Sequence, residues 1–134
     1  MKHVKKSLLR SVGLPATALC FSLYLVCSSA NAHAAPMGMQ VFNEECAECH
    51  SVKEGKNKKG PSLWNILGRK SATVPDFNYS DAMKASGIVW TEDRIAAYME
   101  HPKKIVPGGI MKYEGLDDPK ARKALLEYLS TLHG

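Results

Sequence analysis

The first 32 residues contain no aspartate or glutamate, although the whole chain has 13. In their place stand Lys2, Lys5, Lys6 and Arg10, then the apolar run "SVGLPATALCFSLYLVC", then the small-residue zone "SSANAHAAP". That order is the three-part build of a secretory signal peptide. Ala30-Asn31-Ala32 fits an A-x-A site and Ala32-His33-Ala34 is a second, so cleavage is expected after Ala32 or Ala34. Pro15 and several polar residues interrupt the run, which is barely long enough to span a bilayer. Stable membrane insertion is therefore not expected. An uncleaved anchor, or a lipoprotein acylated at Cys27, are the alternatives, the second opposed by Val26 where a small residue should stand.

Excess positive charge is the next thing missing. The formal charge of +5 rests on 18 Lys+Arg against 13 Asp+Glu. Four of those cations lie before residue 33, so 14 against 13 remain, a net of about +1. A nucleic-acid partner loses its main support. A disulfide framework is missing too, since Cys20 and Cys27 leave with the leader and only Cys46 and Cys49 stay. No β-hairpin signal, internal repeat or low-complexity tract is seen. What remains, residues 33–134, is one domain whose core is marginal unless something staples it.

The pattern that is present is helical. Residues 33–37 read as a loose start. From Met39, Val41, Phe42, Cys46 and Cys49 recur near a helix turn. "VKEGKNKKGPS" reads as an exposed loop. "SLWNILG" reads as a short helix with Leu63, Ile66 and Leu67 inward and Gly68 as its stop. Ser80 caps a further helix that Gly87 ends. Thr91 caps the next, with Glu92 and Asp93 suited to its dipole, and Pro102 ends it. "KKIVPGGIMKYEGL" reads as a loop. Asp118 and Pro119 open the last helix, striped by Ala121, Leu125, Tyr128, Leu129 and Leu132. The expectation is an all-α domain with long loops, as if wrapped around something large and flat.

The chemistry sits in "ECAECHSV", where Cys46 and Cys49 are followed at once by His50. A structural zinc site wants four ligands, and the other histidines of the mature chain, His33, His101 and His133, are unpaired. A thioredoxin-like CxxC wants strands alternating with helices and a cysteine pair at a helix start. A Cys46–Cys49 disulfide would close a tiny loop and stabilise little. Covalent haem uses all three side chains: two thiols add to two vinyl groups and the imidazole beyond them reaches the iron. An exported chain has no reducing pool to keep idle thiols, so one haem c on Cys46 and Cys49 is expected. The sixth iron position needs a ligand as well. Met83 and Met99 fall on short helical faces suited to packing. Met111 follows "VPGGI" in a loop, 61 residues after His50, where it is free to reach the opposite haem face. His50 and Met111 are the expected metal ligands.

Five stretches in order, "FNEECAECHSV", "KKGPSLWNILGRK", "FNYSDAMKASGIVW", "YMEHPKKIVPGGIM" and "ALLEYLSTL", strongly resemble the class I cytochromes c of the mitochondrial-type and bacterial c2-like group. The resemblance runs from about Gly38 to Leu132. It implies a small haem-wrapping fold with the first and last helices packed across each other, and Gly38, Phe42, Leu125 and Tyr128 match that crossing. It implies that the Pro61 carbonyl accepts the ring N–H of His50. It places Arg69, Tyr79 and Trp90 at the haem propionates and Tyr98 near the methionine sulfur. Three positions depart from the family: Glu45 replaces a docking lysine, Gly109 a threonine that steadies the methionine loop, and Met83 an asparagine. A more mobile Met111 loop is the expectation from those losses.

The function so implied is a soluble, monomeric, periplasmic monohaem electron carrier, not an enzyme, because filled axial positions leave no place for substrate. Its partners would be electron-donor and electron-acceptor proteins docking at the haem edge, steered by a broken ring of Lys56, Lys58, Lys59, Lys103, Lys104 and Lys112. A haem-based gas sensor or weak peroxidase is the alternative if Met111 is not a stable ligand, and a haem subunit of a larger dehydrogenase or oxidase is another.

Overall fold

A computed structural model describes residues 34–134. The expected signal peptide, residues 1–32, and the first expected cleavage point after Ala32 fall outside the described residues, while Ala34, the second expected point, opens the first helix. The chain is helical from the first of them, Ala34–Val41 (α1), so the loose start expected up to residue 37 is instead helix. A π-helical turn, Phe42–Cys46, continues α1. Then follow α2 (Asp81–Ala85), α3 (Glu92–Glu100), the one-turn α4 (Pro102–Ile105) and α5 (Pro119–Ser130). The only extended pairing among the described residues is an isolated antiparallel bridge, Lys70 with Val89. The fold is all-α.

Local chemistry explains most helix starts. The Ser80 hydroxyl accepts from the Met83 N–H, the Thr91 hydroxyl from the Arg94 N–H and the Asp118 carboxylate from the Lys120 N–H, each quieting an N–H that has no partner inside the helix. Pro119 stands in the first turn of α5, where its missing N–H costs nothing. Gly87, at φ +62°, carries the chain out of α2.

"SLWNILG" is not a helix. Its backbone donors go elsewhere: Leu63 N–H to the Ser51 carbonyl, Asn65 N–H to the Leu132 carbonyl, and Trp64 N–H to the Ser62 hydroxyl. Asn65 sits at φ +50°, outside right-handed helix. Ile66 is nonetheless buried, with Leu63 and Leu67 packed against the same core, so the apolar spacing marks the inward residues without a helix beneath them. The loop expected after Pro102 also begins with a turn of helix: proline ends α3 but serves as the first residue of α4.

The first and last helices pack across each other at Gly38. A side chain there would start 2.0 Å from the Ala124 carbonyl oxygen and 2.6 Å from Tyr128 Cβ. Phe42 and Tyr128 stack beside the crossing, centroids 6.0 Å apart and tilted by 52°. The core gathers Phe42, Ile66, Trp90, Ile95, Leu125 and Leu129. Four of the six come from helices or the π turn and two from the segments between, so the loops are fastened to the helical frame by buried apolar area.

Candidate haem site

The π turn prepares the cysteine motif. Its wide ring closes with the Ala47 N–H on the Phe42 carbonyl at 2.8 Å, five residues back. The Cys46 carbonyl then accepts from both Cys49 N–H (3.0 Å) and His50 N–H (2.8 Å), curling the two cysteines and the histidine around one point. Both thiols are half-buried and unpaired. Burial, aided by Glu45 and Cys49, pushes the Cys46 thiol up to about 12. A thiol raised in this way is unlike the low-pKa cysteines of redox disulfide enzymes.

His50 is aimed from behind. Its Nδ1 lies 2.8 Å from the Pro61 carbonyl oxygen. A carbonyl only accepts, so Nδ1 carries the proton and Nε2 keeps a free lone pair. Burial holds the ring below its ordinary pKa, with Lys58 adding to the effect and the Pro61 bond opposing it. A neutral imidazole with a bare Nε2 is the state a metal needs. The loop that presents Pro61 is itself pinned. The Ser62 hydroxyl donates to the Lys53 carbonyl at 2.7 Å, and the Ser62 N–H donates to Asn57 Oδ1 at 2.9 Å. The Gly60 N–H returns to the Cys49 carbonyl at 2.7 Å.

Gly60 was not singled out in the sequence, and it matters here. A Cβ at that position would lie 2.4 Å from His50 Cε1 and 2.7 Å from Nδ1. The glycine is the floor on which the imidazole rests. The signal available was its place in "KKGPS", beside the proline that orients His50. Gly60→Ala is therefore expected to push the ring off its axis. In the haem-loaded protein the low-spin ferric spectrum should give way in part to high spin, with a stability loss of about 1–3 kcal/mol. An unaltered spectrum would show that His50 does not rest on Gly60.

The remaining residues form a second group. Arg69 donates to two carbonyls, Nη1 to Trp64 at 2.7 Å and Nη2 to Ser62 at 2.9 Å. Burial disfavours its charge, and no carboxylate pairs with it among the described residues. A half-buried cation with three N–H groups still free suits an anion brought by the ligand. Tyr79 is close enough to Arg69 to feel its charge, and burial raises its phenol. Its ring meets Phe77 edge-on at 4.8 Å. Trp90 is buried, and its backbone N–H donates to the Arg69 carbonyl. The Tyr98 ring lies 5.1 Å from that of Trp90, and burial raises its phenol too. Tyr79 and Trp90 are thus each linked to Arg69, and Tyr98 to Trp90.

Met111 is half-buried in the segment between α4 and α5, and lies near His50. Met83, by contrast, accepts a weak contact at sulfur from the Ser86 hydroxyl (3.9 Å) and packs against the core, as does Met99. The next aromatic after Met111 makes an unexpected contact. Tyr113 Oη donates to Glu45 Oε2 at 2.8 Å. Burial, reinforced by Glu45, keeps that phenol protonated far above its ordinary range.

The donor set thus offers two thiols, one imidazole nitrogen, one thioether and a cation ready for an anion, which is the chemistry a haem c asks for. Comparison with known proteins agrees. The family model described as cytochrome c matches residues 35–133. Over 95 residues the chain is 48% identical to cytochrome c2 of Rhodopila globiformis, covering 71% of this chain and 90% of that protein. It is 45% identical over 87 residues to cytochrome c2 iso-2 of Magnetospirillum molischianum, covering 65% and 90%. It is 43% identical over 96 residues to cytochrome c of Arabidopsis thaliana, covering 71% and 86%.

Proposed function

The chain belongs to the cytochrome c family, and on that premise we propose that His50 and Met111 are the axial ligands of its haem iron. The protein is a monohaem electron carrier rather than an enzyme, with haem c joined to Cys46 and Cys49. Bound there, the haem supplies a one-electron ferric/ferrous couple. The observation that carries the axial assignment is the His50–Pro61 bond, which leaves Nε2 as the only metal-binding atom of a neutral ring. Met111 offers a soft thioether, which favours ferrous iron and a high potential. Arg69, Tyr79 and Trp90 hold the propionates, and Tyr98 lies toward the methionine side. The unpartnered charge on Arg69 supports that placement.

Electron donor and acceptor proteins dock at the haem edge in this proposal. The lysine ring is weaker than a count suggests. Lys59 pairs with Glu48 at 2.5 Å, Lys103 with Glu114 at 2.6 Å, and Lys58 donates to the Ala47 carbonyl. Lys56, Lys104 and Lys112 remain without an acidic partner among the described residues. Steering by them is modest and screened by salt. No helix of the described residues is long and apolar enough to cross a membrane. Residues 1–32 act as the secretory leader and residues 33–134 as a monomeric domain in the periplasm, supported by the basic, apolar and small-residue order at the start of the chain.

The test is an optical redox titration of the purified mature protein. A low-spin c-type spectrum with a clearly positive potential is expected. A low potential or a high-spin ferric spectrum would remove Met111 from the iron.

A further inference from the structure

We propose that Glu45 and Tyr113 form a strap that holds the Met111 segment closed over the haem crevice, making both of them positioning residues for the methionine ligand. The inference rests on Met111 being that ligand. It starts from a contact between residues 68 positions apart.

Among the described residues, the other polar ties of the Met111 segment run to α3, α4 and α5. Lys103 of α4 reaches Glu114, and the Leu116 N–H reaches the Met99 carbonyl at 2.9 Å. The Arg122 guanidinium donates to the Leu116 carbonyl and pairs with Glu100 at 3.3 Å. These bonds fasten the far end of the segment to α3, α4 and α5. None of them reaches the side that carries the cysteines. The Tyr113–Glu45 bond does. Glu45 lies in the π turn, next to Cys46, and Tyr113 lies two residues beyond Met111. The bond therefore links the turn that carries the haem-attaching cysteines to the segment that carries Met111, and with haem bound it would tie the two together.

Its chemistry suits a latch. The acceptor is a carboxylate, so the bond is charge-assisted. The tyrosine ring is half-buried, which fixes the donor in place. Gly109 has no hydroxyl with which to steady the segment, and the loss of that group led to the expectation of a mobile loop. Tyr113 supplies a tie from the other flank of Met111. The departure at Glu45 then has a role: a lysine there could not accept the phenol's hydrogen.

The experiment is imidazole binding to the ferric holoprotein, in which the added ligand displaces Met111 only when the segment opens. The wild type is first checked by NMR for the haem-shifted methyl resonance of Met111. Tyr113→Phe and Glu45→Ala are each expected to raise the imidazole association constant about five-fold, the size set by one partly exposed hydrogen bond. The double variant should bind no more tightly than either single one, since both break the same contact. Glu45→Gln keeps an acceptor and should lie between wild type and Glu45→Ala. Unchanged binding in the single variants, or single effects that multiply in the double variant, would overturn the strap while the methionine ligand stands. A wild type without the shifted methyl resonance would overturn the ligand assignment and the strap with it.

Discussion

Gly38→Ala is expected to lower the thermal midpoint of the holoprotein by roughly 10 °C. Helix propensity alone predicts the opposite sign, because alanine stabilises a helix interior by ~1 kcal/mol over glycine. The contact at the crossing decides the matter. The new Cβ would sit 2.0 Å from the Ala124 carbonyl oxygen, and that oxygen belongs to the backbone of α5. No side-chain rotation relieves it, so the helices must part. Parting them loosens Phe42 from Tyr128 and disturbs Leu125, which is 1% exposed. An overpacking cost near ~3 kcal/mol, less the propensity gain, leaves ~2 kcal/mol, and a domain of this size loses ~4–8 °C per kcal/mol. A melt followed by circular dichroism measures it. A midpoint equal to or above wild type would mean that α1 and α5 do not meet at Gly38.

Met111→Ala carries the largest functional effect. With the thioether gone, the potential should fall by on the order of a few hundred mV, a sizeable part of the ~0.8 V open to axial-ligand choice. The ferric spectrum should shift toward high spin, and small ligands such as imidazole should bind without competition. Met83→Ala and Met99→Ala are the controls. Both side chains pack against the core, so their loss should lower stability while moving the potential far less. If Met111→Ala keeps its potential and one of the controls loses it, the ligand has been misassigned.

The parts of this site that the sequence revealed are those made by near neighbours. Cys46, Cys49 and His50 lie within five residues, and their shared turn needs no distant partner. Ser80, Thr91 and Asp118 were legible as caps because a cap bonds the helix it opens. "SLWNILG" misleads because its apolar spacing is helical while its N–H groups pair outside it, with Ser51 12 residues back and Leu132 67 residues on. Gly60 was silent because a missing side chain announces nothing until the imidazole is seen resting on it. Glu45 stands out in the sequence only as a departure from the family. Its bond to Tyr113 closes across most of the domain, and no spacing rule reaches that far. The grouping of Arg69, Tyr79, Trp90 and Tyr98 rests on family resemblance, since four residues spread over 30 positions have no local signature.

One feature of the site concerns its history under mutation. His50 donates to the carbonyl of Pro61, Arg69 to those of Ser62 and Trp64, and Arg122 to that of Leu116. The acceptors are main-chain oxygens, present whatever side chain the codon specifies. Substitution can erase the donors but not the groups that receive them. Selection on these bonds should therefore fall on His50, Arg69, Arg122 and the glycines that leave room, while Trp64 and Leu116 are free to drift as far as packing allows. In this crevice a variable position can still hold a constant atom.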